Sequence, residues 1–231
     1  MTTQGTSANA SRFATPKSQG PFLTYSGFSD GHTLDAEFCV VDVETTGLDA
    51  GAGASIVELA AIRCDAQGNV IDSMSTLIDP GTDDTGAVHI HGITPLMVSG
   101  APTFAEAFPR FAELLSGAIF VAHHAKFDES FVAAEAERAG IVIQRSPGLC
   151  TYWMGRDLLT GVTENHKLAT LAQHFNLTQG NMHAAYDDAM VVVQLIPQLI
   201  ELAATQGKTL NFFSELTQHN AGELQVELRS R

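Results

Sequence analysis

From Phe38 to Val41 the chain is apolar at every position, and acids appear only as this run ends, at Asp42 and Glu44 in FCVVDVETTGLD. A run without polar alternation predicts a strand over 38–44 that is covered on both faces. SIVELAAIRC (55–64) and NVIDSMSTLI (69–78) predict two further strands, and the short Gly-containing turn DAQG between them predicts a hairpin. TFAEAFPRFAELLSG (103–117) carries apolar residues at helical spacing, with Gly117 as a stop and Pro109 as an expected bend. AIFVAH (118–123) reads as a short strand and DESFVAAEAERAG (128–140) as a helix ended by Gly140. Helices are predicted near 151–159 and 166–175, then a long one over 184–205 that Pro197 should kink or restart. Three strands followed by strands alternating with helices predict an α/β fold, a mixed sheet flanked by helices.

Composition sets the bounds. A chain of 231 residues with 45% hydrophobic content can build a substantial core. No uninterrupted apolar stretch approaches the roughly 18 to 20 residues of a membrane span, so no membrane partner is expected. Residues 1–30, rich in Ser, Thr, Ala, Gly and Gln, read as a mobile arm without the apolar segment of a secretory signal. The folded domain is expected over 31–210, with a polar tail over 211–231 that starts as a short helix. Cys39, Cys64 and Cys150 show no CxxC spacing, which suits small core residues in a reducing cytoplasm.

The net charge of −14, with only 12 Lys and Arg, argues against binding nucleic acid through a broad basic surface. Bound divalent cations would reverse the sign locally. On a strand, Asp42 and Glu44 share a face with Val40, about 7 Å apart, and repel when both are ionised. Alone they fit either a solvated strand end or a cation site. The apolar run before them favours the cation site, because clefts form at the carboxyl ends of central strands. In VAHHAKFDESFV (121–132), Asp128 lies where a helix begins and reads first as an N-cap. Adjacent His123 and His124 point to opposite sides of an extended segment, and His89 with His91 lacks a third ligand, so zinc is not expected. In MHAAYDDAMVVVQLIPQLIEL (182–202), Asp187 shares a polar stripe with Gln194, Gln198 and Glu201, a solvent face. Asp188 shares an inward stripe with Val192, Leu195 and Leu199, so it needs a partner and is the better ligand candidate. His183 sits five residues earlier, off that stripe, and belongs to the loop before the helix. Four acids and one histidine from three segments suit a two-metal phosphoryl site with His183 as general base for water. No Ser, Cys or P-loop arrangement competes with attack by water.

VDVETTG, HGIT (91–94), AHHAKFD and HAAYDDA together resemble the motifs of the DEDDh 3′–5′ exonucleases, in order and at ordinary spacings from about 37 to 205. That family includes the proofreading epsilon subunit of bacterial DNA polymerase III, RNase T and oligoribonuclease. The resemblance implies an RNase H-like fold with a mixed five-stranded sheet. It also implies two Mg²⁺ or Mn²⁺ ions held by Asp42, Glu44, Asp128 and Asp188, with Asp42 bridging them and His183 as the base. The terminal nucleotide would be held by Thr45, Thr46, His91, Ile93 and Phe127. The partner implied is the 3′ end of a single strand, and a polymerase subunit is a second candidate partner. One position departs from the pattern, where His124 stands in place of the usual Asn. DNA is favoured over RNA because the chain lacks the basic patches RNase T relies on. RNA trimming, a non-catalytic polymerase-associated subunit and a phosphohydrolase for free nucleotides are the alternatives.

Overall fold

The computed structural model describes residues 19–25, 27–29, 36–180 and 183–211, with backbone alone at 27–29 and 209–211. The main sheet contains β1 (Leu23–Tyr25), β3 (Phe38–Thr45), β4 (Ile56–Cys64), β5 (Val70–Leu77), β6 (Ile119–Ala122) and β7 (Ser146–Cys150), in the order β1-β7-β6-β3-β4-β5. The first four of that order are parallel, while β4 and β5 run antiparallel as the expected hairpin. A separate antiparallel pair joins β2 (Gly27–Ser29) to β8 (Thr209–Asn211).

β3 is central because its sequence permits nothing else. Phe38, Cys39, Val40 and Val41 are at most 1% exposed. Each large side chain so buried contributes about 1.5–3 kcal/mol, enough to fix the strand rigidly beneath the acids that follow. Helix α4 (Ala125–Ala139) packs against β3, β4, β6 and β7, and α3 (Phe104–Leu115) packs against α4 and the β3–β5 region. On the other side, α7 (Ala185–Thr205) lies on β3, β4 and β5 and gathers α5 (Thr151–Leu159) and α6 (Leu168–His174). Two short helices, α1 (Val88–His91) and α2 (Pro95–Val98), carry the HGIT segment. By length and composition α7 would cross a bilayer, yet its Val192, Leu195 and Leu199 are buried in the core of this fold.

Two expectations change. The sheet has six strands instead of five, and the sixth comes from residues 23–25, which the sequence placed in the arm. The reason is α4: Glu129, fully buried, accepts hydrogen bonds from the N–H groups of Phe22 and Leu23 at 2.9 and 2.6 Å and from the Tyr25 hydroxyl at 2.6 Å. The contact is so close that a Cβ on Gly20 would lie 1.8 Å from Glu129 Oε2. Residues 1–18, 26 and 30 of the expected arm, and 212–231, nearly all of the tail, lie outside the described residues. Second, α7 is one helix through Pro197 and does not restart there. Proline removes the N–H that would have met the Val193 carbonyl, and Gly68 of the β4–β5 turn fills the space. A Cβ there would stand 3.1 Å from that oxygen and 3.5 Å from Pro197 Cγ. Helix α3 runs past Pro109 and is started by a capping box between Thr103 and Glu106.

Candidate active site

Asp42 and Glu44 stand where β3 runs past its parallel neighbour, since β6 pairs with β3 only as far as Val40. The crevice opened there receives the start of α4. That helix begins three residues before the expected position, with His124 as its N-cap, so Asp128 is not a cap. It lies one turn inside, 3% exposed, and takes backbone hydrogen bonds from Val43 and from its own N–H. Asp188 arrives from the opposite face in the first turn of α7, partly buried. His183 precedes that helix, exposed, with φ at 64°. Its backbone N–H donates to Asp188 Oδ2 at 3.2 Å. Ligand-type atoms of Glu44, His183 and Asp188 all fall within 4.8 Å of one another.

The electrostatics of this cluster are unresolved by the protein itself. Among the described residues no Lys or Arg forms an ion pair with any of the four acids. Burial pushes the Asp128 carboxyl up to about 8, against the pull of its backbone donors. Burial together with the charges of Asp188 and Glu58 raises Glu44 to about 7. Asp42 is raised well above the usual carboxylate range by burial and then by Asp128, Asp188 and Glu44. Asp188 is raised by burial, which outweighs the His183 contacts. Oxygen donors crowded in this way, without a cation of the protein's own, are a fitting donor set for hard divalent ions.

Of the residues expected near the nucleotide, several are already engaged. The Thr45 hydroxyl donates to the Gly47 carbonyl at 2.6 Å, and Thr46 Oγ1 accepts from Ser55 N–H at 3.0 Å. Ile93 is 3% exposed and packs with Val57 and Val98, so its side chain offers no open face. Phe127 is partly buried, with its ring 4.8 Å from that of Phe131. His91 is more suggestive: Nδ1 accepts from Ile93 N–H at 3.0 Å, while Nε2 is buried without a partner. The segment stays against the threonine turn because Gly86 has no side chain; a Cβ would sit 2.2 Å from the Thr46 carbonyl oxygen.

The expectation for Asp187 is corrected. It is partly buried against Gly180, where a Cβ would lie 2.5 Å from its carboxyl carbon. Its stripe reaches open solvent at Glu201, while Gln194 is held by the Thr178 backbone through two hydrogen bonds, at 3.1 and 3.0 Å. Sequence reasoning also missed Glu58. It pairs across the strands with Glu44, and its Oε2 accepts from Ala185 N–H at 3.1 Å, anchoring the first turn of α7. The signal was there in SIVELAAI, where one acid interrupts an apolar strand just as in β3. His123 donates from Nε2 to the His166 carbonyl and meets the Thr151 hydroxyl through Nδ1, both at 3.0 Å. Burial and its neighbour His124 push its imidazole down to about 3, so it serves as a neutral core residue.

A family model described as Exonuclease matches residues 39–196. Among curated proteins, the chain is 32% identical over 170 residues to the PolC-type DNA polymerase III of Caldanaerobacter subterraneus subsp. tengcongensis, covering 73% of this chain and 12% of that protein. It is 34% identical over 180 residues to a putative bifunctional exonuclease/endonuclease protein of Mycobacterium tuberculosis, covering 75% of this chain and 28% of that one. The chain thus spans well under a third of either relative. Among solved structures, exonuclease X in complex with 5′ overhanging duplex DNA superposes with a TM-score of 0.58 at 24% identity, over 80% of this chain and 99% of that one.

Proposed function

From the premise that this chain belongs to the exonuclease family, whose DEDDh set of acids and histidine it carries, we propose that it removes nucleotides one at a time from the 3′ end of single-stranded DNA, releasing 5′-monophosphates. The observation that supports this most is the convergence of Asp42, Glu44, Asp128 and Asp188 from three chain segments with no basic partner, beside His183. Two Mg²⁺ or Mn²⁺ ions held by these acids would supply charge neutralisation at the scissile phosphate and activation of water. β3 and the two helices fix the carboxylates before substrate arrives, so little reorganisation is needed on binding. His183 stands outside the packed core on a turned backbone and accepts the proton of the attacking water. Thr46 and the free Nε2 of His91 flank the acids on the β4 side and orient the terminal nucleotide. A cleft that engages so little of the strand is compatible with a net charge of −14. Proofreading beside a polymerase is the cellular role most in keeping with the PolC-type relatives.

The test uses metal-stripped protein and 5′-labelled single strands of DNA and RNA, with Mg²⁺, Mn²⁺ or EDTA. The expected result is a ladder of single-nucleotide steps on DNA, slower on RNA, absent in EDTA and absent with Asp42→Ala. Failure of either metal to support shortening of any strand would overturn the assignment.

A further inference from the structure

Eight lysines and arginines lie among the described residues, and five of them are engaged. Arg63 pairs with Glu37, Arg110 with Asp72 and Glu113, and Arg138 with Glu135. Arg145 donates to the Leu23 carbonyl, and Lys208 to the Asp157 carbonyl. The remaining three, Lys126, Arg156 and Lys167, are exposed and form no ion pair among the described residues. Lys126 stands 6.0 Å over the Tyr25 ring, whereas Arg156, in the last turn of α5, and Lys167, the N-cap of α6, lie where aromatic rings gather around Tyr152.

His124 stacks on Tyr152 with ring centroids 3.9 Å apart and planes 26° from parallel. The stack is not a by-product of helix capping: His124 occupies the N-cap with φ at 74°, and its side chain makes no capping hydrogen bond. Its left-handed backbone turns the ring outward, and the ring is exposed. Tyr152 also meets Trp153 edge-on at 5.6 Å, and Arg156 lies 4.9 Å over the Trp153 ring. His166, next to Lys167, stands 6.2 Å from Tyr152. Rings interleaved with unpaired cations form the kind of surface that takes a single strand, by stacking bases and meeting phosphates. Asp128 lies one helical turn beyond His124, so this surface borders the acid cluster from the β6–β7 side. The threonine turn and His91 flank the same cluster from the β4 side.

We propose that His124, Tyr152, Trp153, Arg156 and Lys167 form a shelf that binds single-stranded DNA upstream of its 3′-terminal nucleotide, with bases on the rings and phosphates on the two cations. The shelf rests on the exonuclease reading for the direction of the strand. It also gives the departure at His124 a purpose, since an Asn there would cap the helix but could not stack.

Steady-state kinetics on a DNA octamer and on p-nitrophenyl thymidine 5′-phosphate, a substrate too short to reach the shelf, separate its contribution from that of the acids. Arg156→Glu with Lys167→Glu should raise the octamer KM about tenfold, with kcat changed less than twofold and the small ester unaffected. The slope of log KM against log salt should fall by about 0.7 for each lost phosphate contact. Tyr152→Ala should raise the octamer KM similarly, and His124→Asn by less. An octamer KM unchanged in both the charge and the Tyr152 variants, or raised equally for the ester, would overturn the shelf. If the wild type shortens no strand, the exonuclease reading fails. Fluorescence anisotropy of the labelled octamer in EDTA then still tests the shelf, and equal affinity of the wild type and the charge variant sinks it.

Discussion

Asp128 and Glu129 are neighbours on one helix, both buried, and the protein treats them in opposite ways. Glu129 faces the N-terminal segment and receives three donors, two backbone N–H groups and a tyrosine hydroxyl. Asp128 faces β3 and finds other carboxylates, with backbone groups as its donors and no cation. A third buried acid of the same helix, Glu135, is answered by Ile56 N–H at 3.0 Å and by Arg138 at 2.8 Å. Burial alone therefore does not mark a functional acid. An acid whose donors are all supplied by the fold is a fastener, and one left among like charges is a ligand waiting for a cation.

Exchanging each of the two neighbours for its amide should have the largest and most opposed effects. Asp128→Asn should lower nuclease activity by about 10³-fold or more, because it removes a fixed charge from the reacting centre. The folded protein should persist, as read by circular dichroism. Glu129→Gln should do the reverse: it turns an amide N–H toward groups that are themselves donors, so denaturant unfolding should show a loss of about 3 kcal/mol. Activity per folded molecule should stay within a few-fold of wild type. Equal effects of both variants on stability would erase the distinction.

A smaller effect follows from pH in the absence of metal. Asp128 titrates near 8 in the folded protein against an ordinary 3.8, and Glu44 near 7 against 4.5. The folded state therefore holds protons that the unfolded chain has released. Stability is fullest below about pH 4 for these groups and declines as pH rises toward 8. Thermal unfolding in EDTA should show that decline, and Mg²⁺ should raise Tm more at pH 8 than at pH 5. A metal-induced shift independent of pH would contradict the assignment of these acids as ligands. Smallest is Tyr25→Phe, which removes one of the three donors to Glu129 and should cost about 1 kcal/mol with activity unchanged.

The sequence made the central strand legible because an unbroken apolar run has one structural outcome, and the inward stripe of α7 singled out Asp188 by the same logic. Helix geometry alone also placed His183 in the loop before α7. What stayed hidden depended on contacts between distant segments. Nothing in LTY announces a strand until Glu129, more than a hundred positions away, supplies its acceptor. Asp187 looked solvated because the loop that covers it is far from helical spacing, and Gln194 looked polar and idle until Thr178 lay beneath it. Asp128 reads as a cap only for a helix that begins at 128, whereas the turn at His124 starts it three residues earlier. Glu58 is legible by the same signal as β3, an acid interrupting an apolar strand.

Manganese binding followed by electron paramagnetic resonance tests the central claim most directly, comparing wild type with Asp128→Asn and Glu129→Gln, each shown to be folded. Wild type and Glu129→Gln should bind Mn²⁺ alike, while Asp128→Asn should lose affinity at the site. Equal Mn²⁺ binding by wild type and Asp128→Asn, or equal loss in both variants, would contradict it.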